Sequence, residues 1–385
     1  MEARKNVSPE FVLGTGALAL VGRYAANLGA TKVFLVTDPG VTAAGWTQQV
    51  TDALSRVNIA AYVFSDVSSN PRDTEIMRGA RLYQDEHCDV IVALGGGSPM
   101  DCAKGIGIVA SNDEHILQFE GVDKVPIPGP PLICIPTTAG SSADVSQFAI
   151  INDTTRHVKI AIISKAAVPD VALVDPATTT TMPAALTAAT GMDALVHAIE
   201  AYVSLARSPV TDLNALEAIR LVAANLEAAI THPQDLRYRD QMMLGSLLAG
   251  LAFSNASLGL VHAMAHALGG LKDLPHGECN ALLLEHVVRF NFDAAPERFL
   301  RIGEAFGLHL SGFPPERSKS ELTSAIRAFR QRVGITRALG DFGITEKDIR
   351  VLARYAFGDP CLATNPIQPS VGDIERIYEQ ALTTT

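Results

Sequence analysis

Two short windows hold the side chains best suited to chemistry. In GMDALVHAIEAY, Asp193 and His197 are four residues apart, a spacing that sets both on one helix face about one turn from each other. In VHAMAHALGGLKDLPHGE, His262 and His266 repeat that spacing, and His276 follows Pro275 in a stretch that reads as a loop. Four of the ten histidines therefore sit in two clusters. Imidazoles with a carboxylate suit Zn²⁺, Fe²⁺ or Ni²⁺, and no thiolate is present to mark a purely structural site. The residue after His262 is Ala263, where a zinc peptidase would carry its glutamate base, so peptidase chemistry is excluded. His87, His115, His157, His232, His286 and His309 stand singly among polar neighbours and read as surface or core residues.

A second chemistry is written in glycine. The run VIVAL leads directly into Gly95-Gly96-Gly97-Ser98-Pro99-Met100-Asp101. Glycines let backbone N–H groups approach an anion closely, and a helix starting at this turn would aim its N-terminal N–H groups at a pyrophosphate. Ser98 is placed as the N-cap, Pro99 as the first helical residue and Asp101 as the acid of a capping box. Gly14-Thr15-Gly16-Ala17-Leu18-Ala19 also fits G-x-G-x-x-A. Little strand-forming sequence separates it from Pro9, so it reads as a decoy. Asp38, 22 residues after Gly16 and at the end of VFLVT, has two readings. A carboxylate there accepts hydrogen bonds from ribose hydroxyls and repels a 2′-phosphate, or it forms the turn before Pro39-Gly40. A third turn, Pro136-Thr137-Thr138-Ala139-Gly140-Ser141-Ser142, offers hydroxyls after another strand-like run.

Elements must hold these groups in place. From Thr31 to Asp175 the runs TKVFLVT, AAYVF, CDVIVAL, PLICIP and DVALVD alternate with helix-like stretches, which predicts an α/β domain with a mainly parallel sheet. VSQFAII and HVKIAII flank Asn152-Asp153, which predicts a hairpin turning at those two residues. After Met182-Pro183, helix-period patterns dominate to about Phe357, so the second half is expected to be helical. The division predicted is residues 1–181 for a nucleotide-binding α/β domain and 182–385 for an all-helical, metal-binding domain. At 385 residues two domains are also what chain length suggests.

Composition narrows the partners. Lys and Arg number 31 against 41 Asp and Glu, a formal charge of −10, which disfavours nucleic acid and anionic membranes. Five cysteines, Cys88, Cys102, Cys134, Cys279 and Cys361, are scattered without a C-x-x-C pair, and the N-terminal residues lack an apolar signal-like core. Both features point to a reducing, cytoplasmic setting. Gln241 to Leu271 carries no formally charged residue, but its serines, Asn255 and the two histidines predict a helix pair buried in protein rather than a membrane span.

GGGSPMDCAKGIG, PTTAGSSADVS, GMDALVHAIEAY, AFSNASLGLVHAMAHALGG and PHGECNA, in this order, resemble the iron-dependent, or group III, alcohol dehydrogenases along essentially the whole chain. The resemblance implies a Rossmann-like dinucleotide-binding domain, a helical domain in the dehydroquinate synthase-like arrangement, and a catalytic divalent metal in the cleft between them. It implies Asp193, His197, His262 and His276 as metal ligands, with His266 close by. An imidazole there is expected to carry the proton outward through the ribose hydroxyls. Gly95, Gly96, Gly97 and Ser98 would hold the pyrophosphate of NAD, Asp38 would favour NAD over NADP, and Asn70, Asp101, Thr137, Thr138, Ser146 and Lys159 would contact the cofactor. The reaction implied is hydride transfer between a small primary alcohol or diol and NAD, with Fe²⁺ or Zn²⁺ as Lewis acid, in a homodimer or larger homo-oligomer. Two departures stand out: Ser141-Ser142-Ala143-Asp144 where the family often has Thr-Gly-Ser-Glu, and Asn365-Pro366-Ile367 in place of Asn-Pro-Arg, which would alter a pocket rim near Cys361. A lyase of the dehydroquinate synthase type would need basic residues around the metal for a phosphorylated acid, and only Lys272 is at hand. A non-catalytic NAD- and metal-binding sensor is the other alternative.

Overall fold

The computed structural model describes residues Arg4 to Thr384. The chain divides into two compact units, one from Asn6 to Met182 and the other from Pro183 onward together with Arg4 and Lys5. The first is built on six parallel strands, β1 (Glu10–Leu13), β2 (Lys32–Val36), β3 (Ala60–Phe64), β4 (Val90–Gly95), β6 (Leu132–Pro136) and β9 (Val171–Val174), in the order β1-β9-β6-β4-β2-β3. The strands inside that order are buried on both faces, which is why VIVAL and LICIP read as unbroken apolar runs. Alternate residues serve opposite faces. Val33, Leu35, Val92 and Leu94 pack with α1 (Val21–Asn27) and α3 (Trp46–Ser55), while Phe34, Val36, Ile91 and Ala93 pack with α4 (Asp73–Asp85) and α5 (Gly97–Asn112). A short α2 (Pro39–Ala43) follows β2.

The hairpin exists, but it turns later than predicted. β7 (Phe148–Asp153) and β8 (Val158–Ile163) pair antiparallel with Asp153 opposite Val158, and β8 pairs with a two-residue β5 (Gly121–Val122). Asn152 and Asp153 lie within the strand, and the turn is Thr154 to His157. The cause is the Asp153 carboxylate, whose Oδ1 accepts from the N–H groups of Thr155 at 2.8 Å and Arg156 at 3.0 Å, an aspartate-stabilised turn that begins two residues further on.

Among its described residues the second unit contains helices and no strand: α6 (Ala184–Val203), α7 (Pro209–Thr231), α8 (Leu236–Ala256), α9 (Leu260–Lys272), α10 (His276–Asn291), α11 (Pro296–Ala305), α12 (Pro315–Arg332), α13 (Glu346–Phe357) and α14 (Val371–Thr383). α6 and α9 are buried almost all round, which explains their weak amphipathicity in sequence. Among the described residues no single helix is long and apolar enough to cross a membrane, and the uncharged stretch is broken where α8 and α9 meet at 99°.

Candidate active site

The metal-type side chains come together in the helical unit. α6 presents Asp193 and His197, α9 presents His262 and His266, and α10 presents His276. His276 is not in a loop as its position after Pro275 suggested. Pro275 is the N-cap and His276 the first residue of α10, because a proline with extended backbone is well suited to sit just ahead of a helix. The Oδ1 atom of Asp193 lies 3.8 Å from His197 Nε2, 3.7 Å from His262 Nε2 and 3.8 Å from His276 Nε2. Two ligands of one tetrahedral Zn²⁺ or similar ion are roughly 3.4 Å apart; Asp193, His262 and His276 each offer an atom within 4.8 Å of one another, a set suited to a single divalent ion, with His197 beside Asp193 as the further donor. Burial by itself would raise the Asp193 carboxyl, but the three imidazoles outweigh it and hold the group well below the usual carboxylate range. For His262 burial pulls downward, and the hydrogen bonds to Asp193 and Glu200 more than reverse it, holding the imidazole up at about 9.

Carboxylates and an amide that the sequence reading did not single out surround this set. Glu200 Oε2 lies 2.6 Å from His262 Nδ1. Asn280, one turn after His276 on α10, donates from Nδ2 to Asp193 Oδ1 at 2.7 Å, and the same atom lies 3.2 Å from Nε2 of both His262 and His276. His266 is turned the other way, with its Nδ1 2.8 Å from Asp359 Oδ2 while its ring stacks on that of His276. Asp359 also accepts from the N–H of Cys361 at 2.8 Å, and its carboxyl is lowered because His266 outweighs the cost of burial. Cys361 is fully buried and Ile367 is exposed. Lys272 is held by Asp348 at 3.1 Å.

The nucleotide-type groups gather at the carboxyl edge of the parallel sheet in the α/β unit. Strand order reverses between β2 and β4, and ligands of such sheets bind outside the carboxyl ends of the strands at that switch point. Asp38 follows β2 and the glycine turn ends β4. A Cβ placed on Gly95 would lie 3.4 Å from Asp38 Oδ2 and 2.6 Å from Pro99 Cγ; Gly95 also has φ of +153°, so glycine is required twice over. A Cβ on Gly96 would come within 3.1 Å of Thr138 Cγ2, and one on Gly97 within 3.1 Å of Ser141 Cβ. The turn after β6 thus leans on the turn after β4, and Thr137 N donates to Gly95 O at 2.9 Å.

The predicted capping of α5 is corrected. Its N-cap is Gly96, so Gly97 is the first helical residue, and neither Ser98 nor Asp101 caps. Ser98 Oγ instead donates to Ser69 O at 2.6 Å, tying the loop that holds Asn70 to the glycine turn. Asp101 accepts from Ile150 N at 3.2 Å, and burial pushes its carboxyl up to about 6 despite Lys104. Ser146 gives its carbonyl and hydroxyl oxygens to the Lys104 ammonium at 2.9 and 3.3 Å. Lys159 stands on β8 opposite Asn152. Asp38 also does what the plainer reading asked: it caps α2, accepting from Val41 N through Oδ1.

The other glycine turn is closed from within. Gly16 N and Leu18 N both donate to Asp175 Oδ2, at 2.9 and 3.2 Å, so an internal carboxylate already sits where a phosphate would.

Comparison with known proteins agrees with this layout. Residues 8–176 match the family described as "Iron-containing alcohol dehydrogenase" and residues 187–382 match "Fe-containing alcohol dehydrogenase family, C-terminal". The 1,3-propanediol dehydrogenase of Klebsiella pneumoniae is 42% identical over 370 residues, covering 96% of each chain. The NAD-dependent methanol dehydrogenase of Bacillus methanolicus is 38% identical over 376 residues, covering 98% of this chain and 99% of that one. A crystal structure of 1,3-propanediol oxidoreductase superposes with a TM-score of 0.95 at 40% identity, covering 99% of this chain and 100% of the other.

Proposed function

The chain belongs to the iron-containing alcohol dehydrogenase family, and from that premise we propose that it is an NAD-linked, metal-dependent dehydrogenase interconverting a small primary alcohol or diol with its aldehyde. The observation that carries this reading is the convergence of Asp193 Oδ1 with the Nε2 atoms of His197, His262 and His276. A carboxylate with three imidazoles accepts Fe²⁺ or Zn²⁺, and the family favours Fe²⁺. Bound there, the ion supplies a Lewis acid that lowers the pKa of an alcohol hydroxyl, and NAD supplies the hydride acceptor.

In this reading the residues of the chain bind, orient and move the proton. The N–H groups at the start of α5 and the Gly95–Gly97 turn take the pyrophosphate. Asp38 uses its second oxygen for the ribose hydroxyls and repels a 2′-phosphate. In the same reading Ser98, Asn70, Thr137 and Thr138 contact the cofactor from the turns at that edge and Lys159 from β8 of the smaller sheet, while Asp101 and Ser146 act from behind by fixing β7 and Lys104. Asp359 holds the Nδ1 proton of His266, which leaves His266 Nε2 to take the hydroxyl proton and pass it to solvent. The lyase alternative is disfavoured, since the cation it would recruit, Lys272, is engaged by Asp348. The five cysteines are buried thiols, which suits the cytoplasm; a homo-oligomeric state rests on the family resemblance.

The test is to strip the metal, add back Fe²⁺ anaerobically or Zn²⁺, and follow NADH formation with 1,3-propanediol, methanol and longer primary alcohols. Activity that returns only with metal supports the reading. NAD binding without turnover under any metal would turn it over in favour of a sensor or lyase.

A further inference from the structure

We propose that Glu200 is a positioning residue that sets how tightly the ligand set holds its ion, by fixing the tautomer of His262 and the seat of the helix that carries it. The proposal rests on the metal reading above. Glu200 lies seven residues after Asp193 on α6, two helical turns along the same stripe. It is 4% exposed, and its ion-pair partner is an imidazole, His262 at 2.6 Å. A carboxylate against Nδ1 requires the proton to sit on Nδ1, so Nε2 is the atom left to present a lone pair toward Asp193.

The same carboxylate also seats α9. That helix begins at Gly259 without a capping side chain of its own. Its first N–H groups are satisfied by distant residues: Gly259 N and Val261 N donate to Glu200 at 3.1 and 2.6 Å, and Leu260 N donates to Asn365 Oδ1 at 3.1 Å. The approach is close enough that a Cβ on Gly259 would fall 3.0 Å from Glu200 Oε1 and 2.9 Å from Asn365 Oδ1. One buried side chain therefore ties the helix bearing Asp193 and His197 to the helix bearing His262, at the imidazole itself. Groups that orient a ligating histidine in this way change metal affinity by about 10–100-fold when altered.

Glu200→Gln keeps shape and one acceptor but turns an N–H₂ toward His262 Nδ1, which drives the imidazole proton to Nε2. Asn365→Ala removes a cap from the same helix end without touching His262. Metal affinity is read by chelator competition with Zn²⁺ and Fe²⁺, and thermal unfolding is read on the metal-free proteins. The expected result is a loss of about 10–100-fold in affinity for E200Q, with N365A lowering the unfolding temperature while binding metal within about threefold of the unmodified chain, a spread too small for an altered ligand-orienting group. Should E200Q fail to fold, Gly259→Ala, whose added Cβ crowds both Glu200 and Asn365, carries the same expectation, with N365A separating the part due to Asn365. Unaltered affinity in the folded variant, or equal losses of affinity in both E200Q and N365A, would overturn the proposal and leave Glu200 a helix cap. An unmodified chain that takes up no ion would show the metal reading itself to be wrong, a failure visible before any variant is compared.

Discussion

The metal centre is made of side chains and the nucleotide edge of backbone, and the two respond to change in different ways. Around Asp193 Oδ1 the Nε2 atoms of three histidines from three helices gather within 3.8 Å, and Asp193, His262 and His276 have Asn280 or Glu200 behind or beside them. At the end of β4 the decisive feature is missing side chains: three glycines leave room that Pro99, Thr138 and Ser141 would otherwise contest. The turn at Gly14 sharpens the contrast, because there the N–H groups are already spent on Asp175. A glycine pattern marks an anion site only when nothing in the fold occupies it first.

The largest effect expected is at the side-chain centre. Asp193→Ala should remove the bound metal and lower kcat/KM by about 10³-fold or more, since a Lewis acid contributes several kcal/mol and each 1.36 kcal/mol is tenfold. Metal analysis and NAD titration of the same sample check it, and NAD affinity should be retained. Loss of NAD binding alongside the metal would erase the division of labour between the two regions. His266→Ala should leave metal content intact, slow turnover by about 10²-fold and shift its pH profile, the scale of a positioned acid or base. Loss of metal in that variant would make His266 a ligand.

A backbone change comes next. Gly96→Val should raise the KM for NAD by about tenfold, about the effect of losing one hydrogen bond to a charged group, with metal content unchanged, because the added carbons press on Thr138. Steady-state kinetics at saturating alcohol would show it. Gly14→Ala is the smallest. Gly14 sits at φ +142°, so the variant should lose about 1–3 kcal/mol of stability in denaturant titration, with no change in the KM for NAD. A raised KM there would mean the turn at Gly14 handles phosphate after all.

The sequence carried much of this. The alternation of apolar runs with helical stretches located the parallel sheet, and the spacing Asp193–His197 singled out two neighbouring polar groups on α6, because both patterns are local and periodic, whereas His266 shares the spacing of His262 but turns to Asp359. The turn signals misled where a side chain was used elsewhere: Ser98 reaches Ser69 instead of capping, and Asp153 moves the hairpin turn forward. The supporting shell was not legible, since Glu200 with His262, Asp193 with Asn280, and His266 with Asp359 are 62, 87 and 93 residues apart. One clue was present: Glu200 is the acid between His197 and Tyr202 in HAIEAY, on the stripe of Asp193, and an acid buried in a helix requires a partner.

The most direct test of the central claim is X-ray absorption on the iron- or zinc-loaded protein, which counts the donors around the ion. The expected result is three imidazole nitrogens and carboxylate oxygen around the ion, with no sulfur bound to it. Scattering from sulfur, which would place Cys361 on the metal, or fewer than three imidazoles, would contradict it.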